Sequence, residues 1–238
     1  MSQLSHLNEC SSTNDEITRF LLYENSDFIA VYTFNQTNGR GQYGNTWSST
    51  AGKNLAYTMA VRTEKFTVSD VMFNYYTAIV ISDFLANLAG SPIKIKWPND
   101  IILKNKKTVG ILIEKKKINH QNYYIIGAGF NVLQEKFDEI SNAGSLLTQT
   151  GKHFDLHEFT LKLDKFLSEK LKNLPCEQEI LNLFNKNLFR KDEISVFEKD
   201  GKRQNGIIRK ADEKGELWIE LEDDGLQSFY HKEIRLLY

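Results

Sequence analysis

The sequence predicts an α+β domain with a small β-barrel appended at its C-terminus. Two observations carry this. Amphipathic runs at helical spacing are interspersed with short β-rich runs over most of the chain, and from about Glu193 the hydrophobic period changes to two, with turn pairs at Asp200-Gly201, Lys214-Gly215 and Asp224-Gly225.

Taken in order, the segment after Ser12 predicts a helix, because Thr13 and Glu16 have capping-box spacing and Ile17, Phe20 and Leu21 recur on one face. Residues 28–34 predict a strand that runs into a polar loop, with Gly39, Gly41 and Gly44, before Trp47 and a second strand over 55–61. Met72, Tyr76, Val80, Phe84 and Leu88 form an i,i+4 row on a long helix that Ser69 or Asp70 caps and Gly90-Ser91-Pro92 ends. Runs at 100–103, 108–114 and 123–130, joined by Lys/Asn-rich turns at 104–107 and 115–117, predict a β-meander. Leu156, Phe159, Leu163, Phe166, Leu167 and Leu171 give a further amphipathic helix, and Ile180, Leu181 and Phe184 a shorter one. Alternation at Leu217, Ile219 and Leu221 then marks the barrel, which places the domain boundary between 1–188 and 189–238. No flexible linker or repeat separates the two parts, so they are expected to share an interface.

With 238 residues, 41% of them hydrophobic, the chain has material for a substantial core, which excludes a disordered protein. Thirty Lys plus Arg against thirty-one Asp plus Glu give a net charge of -1. No whole-molecule field attracts a nucleic-acid backbone or an anionic membrane, and neither is expected as a partner. Cys10 and Cys176 are far apart without metal-ligand spacing, which suits a reducing, cytoplasmic setting. The first residues lack a signal-peptide pattern, and the most apolar helix is interrupted by Ser82, Asp83 and Asn87.

Three segments have the residue types for chemistry at an anion. In the glycine loop, backbone N–H groups can approach a ligand, Arg40 supplies a permanent charge with forked donors, and Trp47 a flat apolar wall; a plain surface turn is the alternative. In Lys96-Trp97-Pro98-Asn99-Asp100, the proline holds Trp97 extended and delivers Asn99 and Asp100 as fixed polar groups at the start of a strand. Lys107 and Gly110-Ile111-Leu112 follow, whereas Lys104 and Lys106 read as solvated turn residues. Gly127-Ala128-Gly129-Phe130-Asn131 reads either as close backbone packing or as a ligand wall. His153 and His157 lack a third ligand, so no fixed protein metal site is expected, and neither a Walker loop nor a Gly-x-Ser-x-Gly elbow occurs.

In this order, Ser12-Thr13-Asn14, Gly39-Arg40-Gly41, Lys96-Trp97-Pro98-Asn99-Asp100 with Lys107 and Gly110-Ile111-Leu112, and Gly127-Ala128-Gly129-Phe130-Asn131 resemble the biotin protein ligases. The resemblance covers 12–131 strongly and the remainder weakly. It implies a mixed-sheet catalytic domain like that of class II aminoacyl-tRNA synthetases, an SH3-like C-terminal barrel, and a monofunctional enzyme without an N-terminal DNA-binding domain. The implied reaction makes biotinyl-5'-AMP from biotin and ATP with Mg²⁺, then passes biotin to a lysine of a biotin carboxyl carrier protein; the enzyme is a monomer or a homodimer. The residues implied for catalysis are Arg40, Lys107 and Asp100. Those implied for biotin are Ser12, Thr13, Asn14, Gln36, Gly39, Arg40, Trp47, Lys107 and Gly110. The nucleotide falls to Arg40, Gly41, Gln42, Trp47, Asn99, Lys107 and Asn131. Asp100 either accepts from the incoming lysine or helps bind the metal. One departure stands out: relatives commonly carry Arg where this chain has Gln42, and a neutral amide does not replace that charge. The rival readings are a lipoate-protein ligase, whose Arg-rich Gly-Gly-Gly loop is missing, and a non-catalytic biotin- or adenylate-binding protein.

Overall fold

A computed structural model describes residues 2–23, 26–137 and 141–238, apart from the side chain of Tyr43. Strands β1 (Gln3–His6) and β2 (Phe28–Thr33) are followed by a two-stranded ribbon of β3 (Gly39–Arg40) and β4 (Thr46–Trp47). Then come β5 (Asn54–Arg62), β6 (Ile93–Lys96), β7 (Asp100–Leu103), β8 (Lys106–Ile118) and β9 (Gln121–Asn131). Outside the ribbon these strands form one seven-stranded sheet in the order β1-β2-β5-β9-β8-β7-β6. Only the β1–β2 pair is parallel, so the sheet is mixed and β6 to β9 are the expected meander.

Both faces of the sheet are covered near its middle. Helix α1 (Thr13–Phe20) packs Ile17 against Ile29, Val31, Ala60 and Ile125, while Phe28, Ala30, Tyr32, Tyr57 and Met59 face the opposite side. That second side is closed by α2 (Asp70–Ala89), by the short α3 (Leu146–Thr150) and by α4 (Leu156–Lys170), with α5 (Glu177–Lys186) against α2. Two-sided cover is why every residue of β2 is buried and why its sequence shows no polar alternation. Helix α2 has the predicted ends: Ser69 Oγ accepts from Met72 N–H, and Gly90 closes it at φ 64°.

Several local expectations are corrected. Ser12, not Thr13, is the α1 cap residue, and its side chain makes no capping bond. Thr13 is buried, and its N–H donates to Gln36 Oε1 at 2.9 Å, so the Thr13–Glu16 capping box does not form. The lysines at 115–117 lie within β8, alternating between exposed and half-buried, rather than in a turn. The reversal comes at Asn119 and His120, which take positive φ of 47° and 67° as a tight hairpin turn requires. Strands β1 and β6 and helix α3 had no clear signal in the sequence, being short pieces that pairing and packing define.

From Ile194 a five-stranded antiparallel sheet is built from β10 (Ile194–Lys199), β11 (Lys202–Ala211), β12 (Leu217–Leu221), β13 (Gly225–Phe229) and β14 (Arg235–Leu237), in the order β13-β12-β11-β10-β14. Phe197, Ile208, Ile219 and Phe229 fill this SH3-like part. It is joined to the larger part through backbone bonds. Ile95 donates to Asn187 O and accepts from Phe189 N–H, both at 2.8 Å, so the proposed 188/189 boundary falls on a segment clasped by β6. Asn185 completes the seam: its Oδ1 accepts from Ala211 N–H at 2.8 Å and its Nδ2 donates to Ala211 O at 2.9 Å.

Asn185→Ala leaves both backbone groups of the buried Ala211 without these partners. The expected loss is about 1–3 kcal/mol of stability, read from the denaturant midpoint.

Candidate active site

On the α1 face of the sheet, the strand registers bring positions with little or no side chain together. Gly129 of β9 lies between Ala56 of β5 and Gly110 of β8, and in the next row Gly127 lies between Thr58 and Leu112. The result is a trough in an otherwise packed surface. Two side chains lie directly on it. A Cβ at Gly129 would fall 2.4 Å from Trp47 Cε2, one at Gly110 would fall 2.8 Å from Trp47 Cζ3, and one at Gly127 would fall 2.2 Å from Asn14 Oδ1. The sequence alternatives for Gly127 and Gly129 are therefore both realised: the backbone is closely packed, and it lines the cavity.

The trough widens into an open cleft with a cavity volume of about 120 Å³. Every residue that the resemblance implied for catalysis, biotin or the nucleotide lines it except Gly39 and Asn131. Gly39 instead sits in the ribbon, where a Cβ would meet Trp47 O at 2.4 Å. Asn131 is buried at the end of β9 opposite Asn54. Asn45 and Thr46 of the glycine loop and Leu112 of the Gly110-Ile111-Leu112 motif also line the cleft, as do Ala56 and His231, whose sequence surroundings gave no signal for that.

One end of the cleft is neutral and hydrogen-bonding. Gln36 Oε1 accepts from Thr13 N–H at 2.9 Å and from its hydroxyl at 3.2 Å, while Thr58 Oγ1 donates to Asn14 Oδ1 at 2.7 Å. Ser12, Thr13 and Asn14 are each buried to 4% exposure, so these groups are fixed rather than solvated. The loop between Gln36 and Trp47 is held by the β3–β4 ribbon and closed by a bond from Gly41 N–H to Asn45 O at 2.7 Å.

The other end is charged. Lys107 Nζ pairs with Asp100 Oδ1 at 2.7 Å and lies 5.6 Å from the centre of the Trp47 ring. Lys107 and Gly110 are three apart and would face opposite ways in a regular strand. The register between β7 and β8 shifts at Ile101/Ile102, leaving Thr108 as a bulge that turns Lys107 to the cleft side. The 142–144 segment pins its backbone, with Lys107 N–H donating to Asn142 O and Gly144 N–H to Lys107 O. Lys104 and Lys106 reach Gln149 O and Ser141 O outside the cleft. Asn99 Nδ2 donates to Ile111 O, which fixes the Trp97–Asp100 turn on β8; the Trp97–Pro98 peptide is cis. Lys96 lies 3.7 Å from Asp100 Oδ2, and its pKa is lowered chiefly by burial. Arg40 points elsewhere: its Nη2 bonds Asp15 at 2.8 Å and Glu114 at 3.3 Å. Arg40 and Lys107 thus belong to two separate ion-pair groups at the rim of one cleft.

A family model described as the biotin/lipoate A/B protein ligase family matches residues 9–131, the stretch that supplies all of the cleft except His231. The chain belongs to that family. Among curated members, it is 30% identical over 209 residues to the bifunctional ligase/repressor BirA of Escherichia coli, covering 83% of this chain and 62% of that one. It is 29% identical over 150 residues to the biotin--[acetyl-CoA-carboxylase] ligase of Mycobacterium tuberculosis, covering 61% and 55%. The chain thus spans under two thirds of the length of these relatives. A solved biotin protein ligase from Aquifex aeolicus, in complex with biotin and ATP, superposes with a TM-score of 0.81 at 27% identity over 99% of this chain and 98% of that one. The similarity to this structure includes the C-terminal sheet as well as the part that the family model matches.

Gly129→Ala in this family member forces the Trp47 indole off the trough. The expected outcome is a changed tryptophan emission that disappears in a Trp47→Phe background, with about 1–3 kcal/mol lost from the denaturant midpoint.

Proposed function

We propose that the protein activates biotin with ATP and transfers it to a lysine of a biotin carboxyl carrier protein. The observation that carries this is the polarity of the cleft: fixed neutral donors and acceptors at the Thr13–Gln36 end, an apolar Trp47 and glycine middle, and the Lys107 cation, paired with Asp100, at the other end. Such a slot fits a ligand with a neutral, hydrogen-bonding ring, a short acyl chain and a carboxylate. Biotin has this form. The dithiolane head of lipoate offers no comparable partners to Thr13 and Gln36 and would leave buried polar groups unpaired. The names of the relatives point the same way.

In the first step a biotin carboxylate oxygen attacks the α-phosphorus of ATP, and the bond to pyrophosphate breaks. Lys107 sits where it can neutralise the carboxylate and the adjoining phosphate, and Asp100 keeps its Nζ in place beforehand. In the second step the carrier lysine amine forms an amide with the biotin carbonyl carbon, AMP leaves, and the amine loses a proton. Trp47 walls the acyl chain, Gly110 leaves room for it, and Asn99 shapes the turn beside the nucleotide. Among the described residues no group of three or more His, Cys, Asp or Glu is placed to hold a metal ion, and Asp100 is the cleft's one carboxylate. A Mg²⁺ carried by the triphosphate would offset phosphate charge there. Two free cysteines suit a reducing, cytoplasmic setting. The test is transfer of labelled biotin to a carrier domain with Mg-ATP, with lipoate as the competing acid; transfer of lipoate alone would reassign the substrate.

Lys107→Ala is expected to lower biotin-dependent pyrophosphate release on the order of a hundredfold, the loss of about 3 kcal/mol of charge stabilisation at a reacting anion, with little change in stability. Lys104→Ala, outside the cleft, is the control. Gln42→Arg adds a cation to the loop, and biotinyl-5'-AMP is expected to dissociate roughly ten- to a hundredfold more slowly, measured without carrier. An unchanged rate would show that retention rests on other groups.

A further inference from the structure

Glu114 lies on β8 beyond the cleft wall, and one of its oxygens serves both the neutral end of the cleft and the glycine loop. Oε2 accepts from Asn14 Nδ2 at 2.9 Å and from Arg40 Nη2 at 3.3 Å, with Lys116 Nζ at 3.8 Å. Asn14 belongs to the neutral end of the cleft, and Arg40 to the glycine loop. We infer that Glu114 is a positioning residue for biotin adenylation, setting the Asn14 amide and the Arg40 guanidinium through one carboxylate. The inference rests on the functional reading above.

The chemistry of the carboxylate gives the arrangement its direction. An ionised carboxylate only accepts, so Asn14 must present its NH₂ to Glu114 and turn Oδ1 towards Thr58. The Thr58 hydroxyl donates to that Oδ1 and lies 2.8 Å from the Thr13 hydroxyl, whose residue in turn donates to Gln36 Oε1. With its carbonyl oxygen so engaged, Gln36 has its NH₂ left to offer a ligand. The donor and acceptor pattern of the neutral end is thus fixed from Glu114 inward, through Asn14, Thr58 and Thr13. Asn14 is itself buried to 4% exposure, so removing Glu114 takes the acceptor from a buried amide.

The same oxygen completes a balanced group of four charges. Arg40 bonds Asp15 and Glu114, while Lys116 lies 3.5 Å from Asp15 and donates to Asn14 O at 3.1 Å. Two acids and two bases from α1, the ribbon and β8 therefore tie the loop to the sheet. Removing one acid leaves Arg40 and Lys116 competing for Asp15.

The two functions separate under substitution. Glu114→Gln keeps an oxygen for Asn14 but loses the charge that holds Arg40. It should leave the KM for biotin within about twofold of wild type, lower kcat for pyrophosphate release roughly five- to tenfold, and raise amide exchange at Gly41 by a similar factor in the ligand-free protein. Glu114→Ala also removes the acceptor and should raise the KM for biotin roughly tenfold. An Ala variant with wild-type KM, or a Gln variant with wild-type exchange at Gly41, overturns the inference. Absence of biotin-dependent pyrophosphate release in the wild type would overturn the functional reading instead, and the exchange measurement, which needs no substrate, would still decide the positioning of the loop.

Discussion

The structure depends on the absence of side chains at Gly110, Gly127 and Gly129, which the β8–β9 and β5–β9 registers place together on the α1 face of the sheet. An antiparallel sheet normally buries alternate side chains against the layer above it. Here the layer above is Trp47 and the Asn14 amide, packed onto bare backbone, and a methyl group at these positions would overlap them. The trough therefore fixes where the glycine loop and the first turn of α1 can lie. Register is what makes this possible: slipping β9 by one residue would put Ala128 and Phe130 under the indole and turn the glycines to the core.

Charge is distributed so that neither cation of the site is left alone. Lys107 is held by Asp100 and Arg40 by Asp15 and Glu114, with the partners of each pair on different elements of the fold. These pairs are partly exposed, and their net contribution to stability is small. Their consequence is geometric: two cations stay at the rim of an apolar trough without facing one another. Burial acts on the groups next to Asp100. Burial lowers the Lys96 pKa, and burial, with the Asp100 charge, pushes the Tyr238 hydroxyl up to about 12.

Much of this was legible in the sequence, for a physical reason. Long periodic elements such as α2 and β5 declare themselves by pattern, and the residues around Gly39, Lys96 and Gly127 combine types that a core does not need. The contribution of Lys107 was legible only as a type at a spacing; the bulge at Thr108 that aims it is a property of pairing between β7 and β8 and leaves no mark on composition. The lysines at 115–117 misled because charge resembles a turn, whereas a strand with one open side carries lysines equally well. Gly39 and Asn131 show the limit of motif reading: both lie within the motifs, yet one serves ribbon packing and the other is buried at the end of β9. Thr58 and Glu114, which join the site into one hydrogen-bonded unit, are ordinary strand residues until the register brings them to Asn14.

The C-terminal sheet has the same dependence on long-range geometry. His231, between β13 and β14, lines the cleft that residues 12–129 otherwise supply, and its pKa is lowered by burial and by Lys96. A wall residue supplied by a separate, flexibly tethered module would sample many positions. Here Trp97 Nε1 donates to Gly215 O at 3.2 Å, Tyr75 donates to Asp212 O at 3.3 Å, and the Ile95 backbone is bonded on both sides of Leu188. Two of these anchors, Ile95 and Trp97, flank Lys96 in the segment that leads into Asp100. The attachment of the barrel and the placement of the charged end of the cleft are therefore set by one stretch of backbone, and a change that loosens the seam at Ile95 or Trp97 also moves the support of Asp100 and, through it, of Lys107.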